Sequence, residues 1–268
     1  MVVAMPPWRN LPEPPRLRPK ARVSMTDRKG SRQERAVAHL RQADPVLRRL
    51  IDAHPDFDPR AWLAELPPMD AFGALLFQIV GQQLSIQATR AILGRLGDRF
   101  GGALPTPVAL LAASPGDLAR AGLSRRKVAT VQEVARRFAD GRWSEPDLRT
   151  RSDHEIQELL TTVSGIGPWT VHGFLIIALD RPDVVLPGDL ALRKAIGKLY
   201  GLDHLPSPAQ VTRLAEPWRP WRSLATAYLM AAAFAGVDGG PGGLSGGGRR
   251  CGPGRRWTAR GPQRGPPR

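Results

Sequence analysis

The sequence predicts an all-α fold, a bundle of roughly ten helices, and three observations lead to it. Apolar residues recur at three- and four-residue intervals through the middle of the chain. Helix-start chemistry is frequent, with prolines in first turns and a Ser-x-x-Glu capping pattern at Ser152 and Glu155. Strand signals, in contrast, reduce to the short run Val184-Val185-Leu186.

Taken in order, a first helix is expected over 31–53, stopping ahead of Pro55 because the residue before proline avoids helical geometry. Residues 69–100 carry Phe72, Leu75, Leu76, Ile79 and Val80, then Leu84, Ile86, Ala88, Ile92, Leu93 and Leu96, the pattern of one or two buried helices meeting around Gly81. Two short helices follow at 105–112 and 115–121, each opened by proline. Residues 123–139 are amphipathic: Val128, Val131, Val134, Ala135 and Phe138 point inward, Arg125, Arg126, Arg136 and Arg137 outward. The capping box starts a helix running to 162, and further helices are expected at 168–179, 190–200, 208–215 and 218–235.

This helical middle, 31–237, is expected to form one globular domain between disordered tails at 1–30 and 238–268. The first tail is rich in Pro and Arg without an apolar period, and Met25 inside it is a candidate internal start. The second is a Gly/Pro/Arg tract too poor in aliphatic residues to pack. The net charge of +15 sits mostly in these ends: residues 1–35 and 238–268 each carry +6, which leaves 23 basic and 20 acidic residues for the middle. Bulk charge is therefore weak evidence about the domain, although basic tails add salt-dependent attraction to nucleic acid.

The composition excludes several classes. The single cysteine, Cys251, rules out an intrachain disulfide framework and a four-cysteine iron-sulfur cluster. Apolar runs stay short of the roughly 18–20 residues of a transmembrane helix, and the first twenty residues lack the apolar stretch of a signal peptide. A cytoplasmic monomer, associated with the nucleoid if the source is prokaryotic, is the expectation.

The most informative stretch lies between Thr161 and Ala195. Residues 152–179 spell helix, hairpin, helix, with Val163-Ser164-Gly165-Ile166-Gly167 reversing the chain and Ile166 turned inward as its anchor. The outward face of such a hairpin is backbone. N–H groups near Gly165 and Gly167, with the Thr170 hydroxyl, suit phosphate without reading a base, and outward carbonyls near Val163 and Gly165 suit a sodium or potassium ion bridging to phosphate. Twenty residues after Trp169, Asp189 follows Leu186-Pro187-Gly188 at the head of another helix. Asp after Gly is a good N-cap, and a carboxylate held at a helix N-terminus also stabilises an oxocarbenium-like sugar and orients an attacking water. A Gly-Ile-Gly turn alone is explained by chain reversal, and a capping aspartate alone by the helix it opens.

Together, at this spacing, the two elements resemble the helix-hairpin-helix DNA glycosylase superfamily, and within it the DNA-3-methyladenine glycosylase II branch. The segments GIGPWT (residues 165–170) and RPDVVLPGDLALRKA (181–195) carry the likeness, which extends over about 70–234 and includes FQIVGQQLS (77–85) and PWRPWRS (217–223). The resemblance implies a compact fold of two helical lobes. It makes Asp189 the catalytic carboxylate, Trp169 a wall of the base pocket, and Gly165, Gly167 and Thr170 phosphate contacts. Gln83 or Leu84 would wedge into the gap left by a flipped nucleotide. Bifunctional members carry a lysine where Trp169 stands, so hydrolysis without strand cleavage is implied. Two departures concern the pocket: Gly173 stands where some members have a tyrosine and Met230 where a tryptophan is found, which implies a less aromatic or roomier site. The implied partner is duplex DNA carrying damaged bases, with no cofactor. A non-catalytic DNA-binding module and a glycosylase for deaminated or oxidised bases are the alternative readings.

Several residues are expected to be structural. His172 is one; Arg125, Arg126 and Lys127 read as a solvated face; Trp218 and Trp221 read as packing, with Arg219 and Arg222 neutralising phosphate. Asp180 and Asp183 lack partners at metal-ligand spacing.

Overall fold

A computed structural model of the protein describes residues 25–53, 55, 57–60 and 69–234; the expected tails lie outside the described residues, apart from 25–30. Among the described residues there are thirteen α-helices and no strand. They run α1 (Met25–Ala43), α2 (Pro45–Ala53), α3 (Ala71–Gly81), α4 (Ile86–Arg99), α5 (Pro107–Ala112), α6 (Pro115–Arg120), α7 (Arg125–Ala139), α8 (Glu145–Thr150), α9 (Asp153–Thr161), α10 (Pro168–Ile177), α11 (Leu190–Leu199), α12 (Pro208–Leu214) and α13 (Arg222–Phe234). No helix among the described residues is long and apolar enough to cross a membrane.

The helices build two lobes with separate cores. One core gathers α3 to α10, with Phe72, Leu75, Leu76, Val131, Leu160 and Phe174 at its centre. The other joins α1 and α2 to α11, α12 and α13 through Leu40, Leu47, Ile196, Trp218 and Leu229. The chain thus leaves the second lobe after α2, completes the first, and returns. Helix α3 shows why: residues 71–80 are all buried, so it has no polar face and runs through the middle of its lobe, against α4, α7 and α10. Its N-terminus is closed by Asp70, which accepts from Gly73 N at 2.7 Å, and by Glu145, which accepts from Ala71 N at 3.0 Å.

Four differences from the sequence expectations have local causes. The expected first helix is two, and it begins at Met25; it breaks at Asp44 because Pro45 excludes helical geometry from the residue before it. Asp44 also ties that break to the lobe: Oδ1 accepts from Val46 N (2.8 Å) and Leu47 N (3.0 Å), Oδ2 from the Tyr200 hydroxyl (2.6 Å) and Trp218 Nε1 (2.9 Å). Burial and this bond push the Tyr200 phenol far above its ordinary range. The Val184–Leu186 run is not a strand but part of the crossing segment between lobes. Helix α8, unforeseen, is only six residues, capped by Ser144 and opened by Glu145-Pro146. The last helix starts at Arg222 rather than 218, after a 3-10 turn (Glu216–Trp218) and Pro220.

Candidate active site

The hairpin between α9 and α10 is anchored by Val163 and Ile166, 1% and 5% exposed. Gly165 adopts φ +95°, and a Cβ there would collide with Thr130, whose hydroxyl donates to the Ser164 carbonyl at 2.9 Å; both conformation and space require glycine. Gly167 differs, with φ −113° and nothing within 4 Å of an added Cβ. No contact inside the protein demands glycine at that position, and the open space leaves room for another backbone to approach. Every other helix from α3 to α12 has a side-chain N-cap, whereas α10 begins at Gly167 with none. Its first-turn N–H groups have no side-chain cap among the described residues.

Two residues that sequence reasoning did not assign to the site brace the hairpin and the expected wedge loop. Gln82 Nε2 donates to the Gly165 carbonyl at 2.8 Å and to Thr170 Oγ1 at 2.9 Å. Lys127, expected on a solvated face, instead donates from Nζ to the carbonyls of Val80 (2.7 Å) and Gln82 (2.8 Å), closing the C-terminus of α3; burial lowers its pKa. Between these clamps Gln83 sits exposed in the left-handed region at φ +58°, beside Leu84, which is 42% exposed. The tight turn thrusts both side chains away from the core.

Asp189 and Trp169 meet across the lobes. The crossing segment is pinned to α13 by Ser223, whose Oγ accepts from Val184 N (3.0 Å) and donates to the Arg181 carbonyl (2.7 Å). Asp189 then opens α11: Oδ1 accepts from Leu192 N at 2.8 Å, and Oδ2 accepts from Trp169 Nε1 at 2.7 Å. Both side chains face a cavity of about 610 Å³ between the lobes, which is also lined by Gly173, Met230 and Leu84. Gln83 is not part of its wall. Phe77, Ile176, Ile177 and Leu186 make much of the remaining surface apolar.

Some expectations change. Thr170 is 1% exposed and its hydroxyl is engaged by Gln82, so that hydroxyl braces the hairpin and only the backbone faces outward. The carbonyls considered for a cation each hold one donor, Val163 O from Ile166 N and Gly165 O from Gln82, and keep a second lone pair. The slot at Gly173 is not empty, because the Gln78 carboxamide occupies it. Arg219 and Arg222 are spent on Asp183, both at 2.6 Å, rather than offered to phosphate, and Asp180 pairs with Arg60 at 2.8 Å. His172 does not line the cavity; burial foremost, then the charge of Arg222, lowers its pKa. No cluster of metal-ligating side chains occurs among the described residues.

The family model described as "HhH-GPD superfamily base excision DNA repair protein" matches residues 77–220, which include the wedge loop, the hairpin and Asp189. DNA-3-methyladenine glycosylase 1 of Schizosaccharomyces pombe is 29% identical over 197 residues, 73% of this chain and 85% of that protein. The DNA-3-methyladenine glycosylase of Saccharomyces cerevisiae is 34% identical over 173 residues, 61% of this chain but 58% of that longer protein. In structure, the S. pombe 3-methyladenine DNA glycosylase in complex with abasic DNA superposes with a TM-score of 0.68 at 27% identity, over 75% of this chain and 97% of that one. The uncapped start of α10, the protruding loop and the carboxylate at the apolar cavity all lie within the matched span. The chain belongs to the HhH-GPD superfamily of base excision DNA repair proteins.

Proposed function

We propose that the protein is a monofunctional DNA glycosylase that extrudes alkylated purines of the 3-methyladenine and 7-methylguanine type from duplex DNA and hydrolyses their N-glycosidic bond. The observation that carries this is the Asp189–Trp169 pair in the wall of the inter-lobe cavity, with Trp169 in the first turn of the uncapped α10. The hairpin holds phosphate through backbone N–H groups of Gly167, Trp169 and Thr170, and Gln83 or Leu84 fills the gap in the stack. The extruded base lies against the Trp169 face, where a cationic alkylated ring gains from the indole π system.

Chemistry then asks little of the protein. Alkylation at N3 or N7 places positive charge on the base, so the glycosidic electron pair leaves with it and the base departs neutral. The sugar becomes oxocarbenium-like, and the Asp189 carboxylate stabilises that charge while a water oxygen bonds to C1′. The water's proton passes to Asp189 or solvent. Trp169 offers no amine for a Schiff base, so the backbone is left uncut. No metal enters these steps. A sodium or potassium ion on the Val163 and Gly165 carbonyls would serve only to bridge the hairpin to phosphate. The protein works as a monomer on DNA in the cytoplasm, at the nucleoid if the cell is prokaryotic.

The test is base release from matched duplexes that are methylated or contain uracil, hypoxanthine or 8-oxoguanine. Release of 3-methyladenine and 7-methylguanine is expected to dominate, with no strand nicking. Dominant release of uracil or 8-oxoguanine would assign a different substrate class, and binding without any release would make the protein a DNA-binding module.

A further inference from the structure

Gln78 is an unexpected side chain for the wall of an apolar cavity. It lies on α3 among aliphatic neighbours and is 5% exposed, yet its carboxamide has no hydrogen-bond partner among the described residues. It reaches this place because Gly173 opposite has no side chain: a Cβ there would stand 2.5 Å from Gln78 Oε1, 2.6 Å from Cδ and 2.7 Å from Nε2. Most other polar groups of the wall are satisfied. Asp189 holds Trp169 and Leu192, Thr89 donates to the Ser85 carbonyl, and Ser223 serves the crossing segment. The two fully shielded polar atoms without a partner among the described residues, Arg60 Nε and Thr226 Oγ1, also belong to residues of this wall. A buried polar group is normally paired, so an unpaired amide facing a cavity marks the place of a ligand group.

Building on the glycosylase reading, we infer that the Gln78 carboxamide is the group that reads the edge of the extruded base. An amide presents an acceptor and a donor side by side and in plane, so it pairs with any purine edge that carries the complementary couple. 3-Methyladenine retains one, N6–H beside N1 or N7, and 7-methylguanine retains another, O6 beside N1–H. A half-turn of the amide serves either, which suits a pocket that accepts both alkylated purines. A base whose N1 and N6 are closed into a ring, 1,N6-ethenoadenine, presents no donor there and leaves the amide oxygen without its partner. Gln78 therefore selects among lesions by hydrogen bonding while Trp169 contributes affinity for the ring and its charge. This is a recognition role; the residue takes no part in the proton or bond changes.

The test compares single-turnover release of 3-methyladenine from methylated duplex with release of ethenoadenine from a defined duplex, in wild type and in Gln78→Met, which keeps the volume and removes the amide. The rate for 3-methyladenine relative to ethenoadenine is expected to fall about tenfold or more. Affinity for an abasic duplex, which has no base to read, should stay within about twofold. Gly173→Ala provides a second variant that displaces the amide from its slot without removing it, and the same relative rate should fall. An unchanged relative rate in both variants overturns the assignment, as does a loss matched by an equal loss of abasic-DNA affinity, which is what a merely structural residue would give. Were wild type to release neither base, the glycosylase reading itself would fall and this assignment with it; wild-type release with indifferent variants refutes the assignment alone.

Discussion

The indole N–H of Trp169 donates to Asp189 Oδ2 over 2.7 Å, joining the first turn of α10 in one lobe to the N-cap of α11 in the other. Because Oδ1 is already held by Leu192 N, the two bonds fix both the position and the plane of the carboxylate. Trp169 is thus more than an aromatic wall: it orients the carboxylate proposed to carry the hydrolysis.

Trp169→Phe separates these roles by keeping an aromatic face and deleting the bond. Hydrogen bonds to charged groups contribute about 1.5–3 kcal/mol, so kcat for 3-methyladenine release should fall roughly 10- to 100-fold. KM should change much less. A variant with wild-type kcat would show that the orienting bond is dispensable.

Gln82→Ala removes both bonds that tie the wedge loop to the hairpin. At about 0.5–1.5 kcal/mol per bond, urea denaturation should report a loss of about 1–3 kcal/mol. Affinity for abasic duplex should drop alongside it. Gln82→Glu is expected to be worse in both assays, since a carboxylate sets an acceptor against the Gly165 carbonyl.

Asp44→Ala leaves two backbone N–H groups, the Tyr200 hydroxyl and the Trp218 indole without their acceptor inside the second lobe. Removing a buried charged partner from such a network costs about 3–5 kcal/mol. Thermal unfolding should shift by several degrees, with no change in base release per folded molecule at a temperature where the variant is folded.

Fold class and most helices were legible because they rest on local signals: periodicity along α7, the Ser152–Glu155 capping box, and prolines opening α5 and α6. That Asp189 and Trp169 meet at one cavity was foreshadowed by the family resemblance of the segments that carry them. What the sequence hid depends on contacts between residues far apart. Gln82 lies 83 residues from Gly165, Lys127 is 47 from Val80, and the Gln78 amide is welcome only because Gly173 faces it. Lys127 misled for a physical reason. It stands beside the exposed Arg125 and Arg126, and only the tertiary fold brings the unsatisfied end of α3 against it.

The pH dependence of stability should carry a His172 component. Burial, then the charge of Arg222, lowers its pKa in the folded state below the ordinary value of 6.5, while the unfolded chain keeps that value. The unfolded state therefore takes up the proton first, so stability present above pH 6.5 is lost as pH falls through the folded value. Denaturant midpoints measured from pH 8 to pH 5 should fall, and His172→Gln should fall less; identical slopes in the two proteins would remove histidine from the account.

Asp189→Asn tests most directly whether Asp189 performs the hydrolysis. Asparagine caps helices as well as aspartate does, so the Leu192 bond, the fold and abasic-duplex affinity should survive. The charge facing the sugar is lost and an amide N–H confronts the Trp169 donor. Single-turnover release of 3-methyladenine from methylated duplex should fall by at least about 100-fold. Release at the wild-type rate, with DNA still bound, would contradict the mechanism.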